Sequence, residues 1–272
     1  MKIDFTKAVA SGNDFILLDN RANRLKEKIK DLGSFAKFAS RRKYSAGSDG
    51  VLVLEDSENA DFKMRIFNPD GSEVTMCGNG IRCSALYAYK NGWCKSSMRI
   101  ETGAGVLEAS VDADSVKMKM PEPRDIRLNQ NIGLGKTVIN IHTIYTGVPH
   151  AVHFVNEVAR YPVKEVGQKL RYHKVFEPEG TNADFVQVRD ESTIFVRTYE
   201  RGVEDETLAC GTGVVASAII SHLVNGTREP VNTVTKGKEV LKVYFKKEIK
   251  SFKDVYLEGK AQIVYDGGIY YV

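Results

Sequence analysis

Several things are missing from this chain, and each absence removes a class of protein. No run approaches 18 uncharged apolar residues, which excludes a membrane-spanning helix. The N-terminal stretch "MKIDFTKAVASGNDF" has no apolar core of signal-peptide length, so the expectation is a cytoplasmic protein without a membrane partner. There are only four cysteines, Cys77, Cys83, Cys94 and Cys210, and a reducing compartment makes a disulfide framework unexpected. None forms a Cys-x-x-Cys pair or has a histidine at zinc-ligand spacing, so no metal site is expected. The 39 basic residues against 35 acidic ones are scattered, without the basic stripe and interleaved aromatics of a nucleic-acid binder. What is left is ordinary globular composition, 42% apolar and 27% charged, in a chain of 272 residues that is long enough for two domains.

The chain is written twice. Cys210 follows Cys77 by 133 residues, and each stands directly before Gly-x-Gly, in "TMCGNGIRC" and "LACGTGVVA". "RIFNPDGSEVTMCGNG" lies over "RTYERGVEDETLACGTG", "SGNDFILLD" over "TGVPHAVHF", "GSDGVLVL" over "NADFVQV", and "TGAGVLEASV" over "TKGKEVLKVY". Ordered matches at one near-constant offset indicate two related domains. The fold class expected is therefore α+β: two pseudo-symmetric domains, each a mixed or antiparallel sheet wrapped around a central helix, with the active site in the cleft between them. The boundaries expected are 1–119, with a C-terminal strand over 264–272 returning to it, and 120–263.

Short alternating runs such as "DFILLDN", "GVLVLED" and "GVLEASV" read as strands. Helices are expected from about Ile29 to Arg42 and after Cys77 in the first half. In the second half "VVASAIISHLV" is apolar almost all round and should be a buried helix. The runs after Cys77 and Cys210 both end in Asn-Gly, a helix stop. The Pro-, Asn- and Gly-rich segment from Met120 to about Thr137 reads as the connection between domains.

A cysteine at the start of a helix has specific chemistry. The first turn leaves N–H groups unpaired and carries about half a positive charge, and glycines let an anion come close. The same field lowers a thiol pKa, to roughly 3.5–7.5 in known cases. Two such sites facing each other would hold a carboxylate between helix N-termini with one sulfur on each side of the α-carbon, an arrangement for moving a proton from one face to the other. Cys83 and Cys94 lack the glycines and the symmetry, and read as buried structural thiols. Arg65 and Arg197 occupy repeat-equivalent places and read as structural ion pairs.

The blocks "GNDF", "RIFNPDGSEVTMCGNGIRC", "TGVPH", "EGTNADF", "YERGVEDETLACGTG" and the terminal "YDG" resemble the diaminopimelate epimerase family, among the cofactor-independent amino-acid racemases. The resemblance covers essentially the whole chain. It implies interconversion of LL- and meso-2,6-diaminoheptanedioate, a small-molecule amino-acid substrate, without metal or pyridoxal phosphate. By resemblance, Cys77 and Cys210 are the acid/base pair, and His150 and Glu200 help set their protonation. Gly78, Asn79, Gly211 and Thr212 offer backbone N–H groups to the reacting carboxylate. Asn13, Asn68, Asn182, Glu200 and Arg201 grip the distal amino-acid end, where Arg201 suits a carboxylate and Glu200 an ammonium. Many members carry Gly-Asn-Pro-His where this chain has Gly147-Val148-Pro149-His150, which removes one amide from distal recognition. The resemblance points to a homodimer, on which composition does not bear.

Two other readings stay open on the residues alone. One keeps the proton transfer but changes the amino acid. The other is a non-catalytic binding or redox-sensing protein in which Cys77 and Cys210 form a reversible disulfide.

Overall fold

The structure is a computed structural model that describes residues 1–271; Val272, the last residue of the expected C-terminal strand, lies outside the described residues. The chain divides into two compact units, Met1–Met118 with Gly259–Val272, and Lys119–Glu258.

The first unit contains β1 (Lys2–Ala10), β2 (Asn13–Asp19), α1 (Leu32–Ala39), β3 (Gly50–Glu55), β4 (Phe62–Phe67), β5 (Glu73–Val74), α2 (Gly78–Lys90), β6 (Ser97–Thr102), β7 (Gly105–Asp112) and β8 (Ser115–Lys119). The second contains β9 (Arg124–Leu134), β10 (Thr137–Tyr145), β11 (Pro149–Phe154), α3 (Val163–Arg171), β12 (Asn182–Val188), β13 (Thr193–Glu200), β14 (Asp205–Thr207), α4 (Gly211–Asn225), β15 (Val231–Val234), β16 (Val240–Lys247) and β17 (Phe252–Lys260). The final strand, β18 (Gln262–Tyr270), pairs antiparallel with β1 in the first unit.

Pairing in the two units follows one pattern. The first runs β18-β1-β2-β3-β4-β6-β7-β8, with β2–β3 and β4–β6 parallel and the other pairs antiparallel. The second runs β9-β10-β11-β12-β13-β15-β16-β17, with β11–β12 and β13–β15 as its parallel pairs. In each unit a short strand, β5 or β14, pairs with the strand before it and leads into the cysteine.

Each sheet curls around one helix. Helix α4 buries Val214, Val215, Ala216, Ala218, Ile219 and Ile220, so it is apolar on every side and touches strands β10 to β13, β15 and β16. Full burial of each large aliphatic side chain contributes about 1.5–3 kcal/mol, which outweighs the poor helix propensity of Val and Ile. Helix α2 is likewise enclosed, although its buried residues include Arg82, Cys83 and Ser84. The other helix of each unit covers the opposite face of the sheet. Phe35, Ala36 and Ala39 of α1 pack on Ile16, Leu18, Val51 and Val53, and Val163 and Leu170 of α3 pack on Ala183, Phe185 and Tyr199.

Two local expectations are corrected. Helix α1 is shorter than Ile29–Arg42 because the Asp31 carboxylate caps it, accepting from Gly33 N at 3.2 Å and Ser34 N at 2.9 Å. Most of the segment read as a linker, 120–137, is the long strand β9. Its polar residues do not break the ladder because Asp125 and Asn129 adopt left-handed φ of 56°, and the pairing with β10 shifts register nearby. Asp and Asn tolerate that conformation, and the bulges absorb it. The helix stops are as the Asn-Gly pairs indicate: Gly92 and Gly226 have φ of 70° and 71°.

Candidate active site

In the first unit the β5 hairpin delivers Cys77 in extended conformation, φ −148° and ψ 119°, as the N-cap of α2. Its carbonyl accepts the first helical bond, from Ile81 N at 2.9 Å. Gly78, Asn79 and Gly80 form the first turn, whose N–H groups have no helical acceptor. Cys77 is half-buried.

Behind that turn lies a chain of oriented amides. The Arg82 guanidinium, which is fully buried, donates to Asn79 Oδ1 at 2.8 Å and to the Ser11 hydroxyl. Asn79 Nδ2 in turn donates to Asn13 Oδ1, and Asn13 Nδ2 donates to Asp49 Oδ2 at 3.3 Å. Asp49 also accepts from Arg42, and Asp14 accepts from Arg42 and the buried Lys7. Burial pushes the Asp14 carboxyl up, but Arg42 and Lys7 outweigh it and hold it below the usual carboxylate range. The structure thus joins Asn13 to Asn79. Asn68 is tied into the β4–β5 turn, with its N–H on Ser72 O at 2.8 Å and its amide on the Ser72 hydroxyl at 3.1 Å.

In the second unit Cys210 is the N-cap of α4, φ −116° and ψ 111°, with Val214 N on its carbonyl at 2.9 Å. Gly211, Thr212 and Gly213 form the first turn. Cys210 is only 6% exposed. A continuous line of polar contacts leads away from its sulfur: Sγ to Thr212 Oγ1 at 3.4 Å, Thr212 Oγ1 to His150 Nε2 at 2.9 Å, and His150 Nδ1 to Asp184 Oδ2 at 2.7 Å. Asp184 Oδ1 accepts from the Thr198 hydroxyl at 2.7 Å, and Thr146 Oγ1 donates to Thr212 O at 3.0 Å. His150 therefore reaches Cys210 through Thr212.

The electrostatics correct the expectation that a helix N-terminus lowers both thiols. Burial, followed by the Glu200 and Asp184 carboxylates, pushes the Cys210 thiol well above its ordinary range. Removing a thiolate from water costs more than half a unit of helix charge returns. Glu200, at the end of β13, is itself raised by burial, although the Thr207 hydroxyl, His150 and the Cys210 thiol oppose that shift.

Asn182 and Arg201 lie nearby with much of their capacity used. Asn182 Oδ1 accepts Arg201 N at 2.8 Å and its amide donates to Pro149 O at 3.0 Å, bracing β11, β12 and the β13–β14 turn together. The Arg201 guanidinium donates to Glu179 O at 3.3 Å. The paired arginines are ion-paired within their own units, Arg65 with Glu73 at 2.7 Å and Arg197 with Glu206 at 2.6 Å.

Sequence reasoning missed Asp184, Thr198 and Arg82, and saw only a backbone N–H in Thr212. One signal was available: an aspartate inside the apolar run "NADFVQV" is unfavourable in a strand unless its carboxylate has partners.

The model for the family described as "Diaminopimelate epimerase" matches residues 5–126 and 142–264. Proteins named diaminopimelate epimerase from Aquifex aeolicus and Methanocella arvoryzae are 39% and 40% identical, over 97% and 98% of this chain and 97% of each relative. Among solved structures, a PhzF-family phenazine biosynthesis protein of Bacillus anthracis matches with TM-score 0.73 at 18% identity, covering 100% of both chains. A hydroxyproline epimerase of Agrobacterium vitis matches with TM-score 0.67 at 15% identity, covering 98% of this chain and 92% of that one. At such identities the likeness is one of fold.

Proposed function

The chain belongs to the diaminopimelate epimerase family, and from that premise we propose that Cys77 and Cys210 are its two acid/base groups, acting on one α-carbon from opposite faces. The reaction is the epimerisation of LL-2,6-diaminoheptanedioate to the meso form, in lysine biosynthesis. The observation that carries the reading is that both thiols stand at the N-cap of the helix enclosed by their own unit, at repeat-equivalent positions.

The proton balance is closed. The thiolate removes the α-proton and becomes a thiol, and the electron pair left behind spreads onto the adjoining carboxylate. The opposite thiol then gives its proton to the other face and becomes the thiolate. The N–H groups of Gly78, Asn79, Gly211 and Thr212 stabilise the growing carboxylate charge, each such donor being worth about 3–4 kcal/mol in comparable sites. A turnover near 10 per second requires a barrier of about 16 kcal/mol, so positioning and exclusion of water must add to those donors. No cofactor is required, because sulfur and the substrate carboxylate handle every proton and electron pair.

Burial and two carboxylates favour the thiol form of Cys210, which suits it to begin as the proton donor. In the reading, Glu200 and His150 tune Cys210, while Asn13, Asn68, Asn182 and Arg201 address the distal end of the substrate, with Arg201 on its carboxylate. A cytoplasmic homodimer belongs to the same reading, and sedimentation equilibrium tests the dimer.

Reduced protein incubated with LL-diaminopimelate in deuterium oxide should incorporate α-deuterium without added cofactor. Cys77→Ala and Cys210→Ala should each abolish epimerisation. Unchanged epimerisation in either variant would refute the two-base assignment.

A further inference from the structure

We propose that Asp184 is a positioning residue that keeps Cys210 in its thiol form, by fixing the His150 tautomer and through it the direction of the hydrogen bond between Thr212 and the sulfur. This rests on the reading of Cys210 as one of the two acid/base groups.

Asp184 and His150 side chains are both fully buried, so every polar atom between them needs a partner. Asp184 Oδ1 already accepts the Thr198 hydroxyl, and Oδ2 lies 2.7 Å from His150 Nδ1. In the proposed line the carboxylate only accepts, so the ring's one hydrogen sits on Nδ1 and Nε2 is a bare acceptor. The Thr212 hydroxyl, 2.9 Å away, must then donate to Nε2. A hydroxyl has one hydrogen, so Thr212 meets the sulfur at 3.4 Å with a lone pair and has no hydrogen to give a thiolate there. Distance alone leaves either atom of that pair as donor; the tautomer decides it. Thr212 therefore favours the thiol, in the same direction as burial.

Other titratable groups belong to the elements packed around Cys210. Glu200 on β13 faces it directly, and His142 on β10, which accepts from Asn129 N, is held neutral by burial. Strands β15 and β16 bury Val231, Thr233, Leu241, Val243 and Phe245, and His222 on α4 itself bonds Thr227 O beyond the helix C-terminus.

Asp184→Asn reverses the line. The amide oxygen keeps the Thr198 bond, the amide nitrogen donates to Nδ1, the ring hydrogen moves to Nε2, and Thr212 is released to donate to sulfur. In a Cys77→Ser background, the pH dependence of Cys210 alkylation should shift down by about one pH unit or more, a tenfold rise in thiolate at a given pH. Losing the Asp184 charge alone lowers the pKa as well, so the shift must be compared across Thr212. In Thr212→Val the effect of Asp184→Asn should shrink, and in Thr212→Ser, which keeps the hydroxyl, it should return. An equal shift with and without the hydroxyl would overturn the relay in favour of charge alone, and no downward shift would overturn the role of Asp184. Should Asp184→Asn fail to fold, nitrogen NMR on the unmutated, histidine-labelled protein decides the matter: His150 must be protonated at Nδ1, and an Nε2–H tautomer refutes the proposal. Neither readout involves turnover, so loss of the epimerase reading would leave both intact.

Discussion

The second glycine of each Cys-Gly-x-Gly motif should respond very differently to alanine, and the difference can be worked from what a methyl group would meet. At Gly213 a Cβ would lie 2.4 Å from Asp184 Oδ1 and 3.2 Å from Thr198 Oγ1. Restoring ordinary contact requires the carboxylate to retreat by about 1 Å, which takes both of its 2.7 Å bonds, to His150 and Thr198, out of hydrogen-bond range. Bonds to a charged group contribute about 1.5–3 kcal/mol each, and alanine returns about 1 kcal/mol of helix propensity, so the net cost is about 2–5 kcal/mol. At Gly80 the same Cβ would lie 2.9 Å from Leu52 Cδ2, the far end of a flexible side chain. Overpacking there costs about 1 kcal/mol, nearly cancelled by the propensity gain. Thermal unfolding followed by circular dichroism should show Gly213→Ala lowered by about 5–15 °C and Gly80→Ala within about 3 °C of the unmutated protein. Equal losses at the two positions, or an unshifted Gly213→Ala, would refute the claim that this glycine exists to admit the Asp184 carboxylate.

The repeat-equivalent arginines should also differ. Arg197 makes a two-pronged pair with Glu206 at 2.6 and 2.8 Å and donates to the carbonyls of Val158, Ala159 and Tyr161, so Arg197→Lys should cost about 2–4 kcal/mol in urea unfolding. Arg65 also makes a two-pronged pair, at 2.7 Å on each prong, but with the exposed Glu73, and Arg65→Lys should cost no more than about 1 kcal/mol. Asp14 gives a pH signature. Its carboxyl is held below the usual range, so its contribution is present above the unfolded value and lost as pH falls through the folded one. The destabilisation caused by Lys7→Met should therefore be largest at neutral pH and shrink below about pH 4; a deficit constant with pH would remove Asp14 from that role.

Local sequence was enough for a good deal of this protein. The strand runs, the two Asn-Gly helix stops and the placing of Cys77 and Cys210 before a helix depend on residues within a few positions of one another, and the duplication is a match between such local runs at a near-constant offset. The family blocks also identified the reaction, because they span nearly the whole chain. The shorter α1 turned on one capping carboxylate, Asp31, which a periodicity argument overlooks. Strand β9 was hidden because Asp125 and Asn129, ordinarily turn residues, serve as bulges in it.

What only the tertiary structure decided is how the two similar motifs differ. From sequence, both cysteines sit at helix N-termini and both should be acidified by the same field. Desolvation is a property of what surrounds a group, and it reverses that expectation at Cys210. The surroundings come from far along the chain: Asp184 lies 34 residues from His150, and Thr212 lies 62 residues from it. No local period encodes such a line of hydrogen bonds, since it exists only once β11, β12 and α4 have packed together.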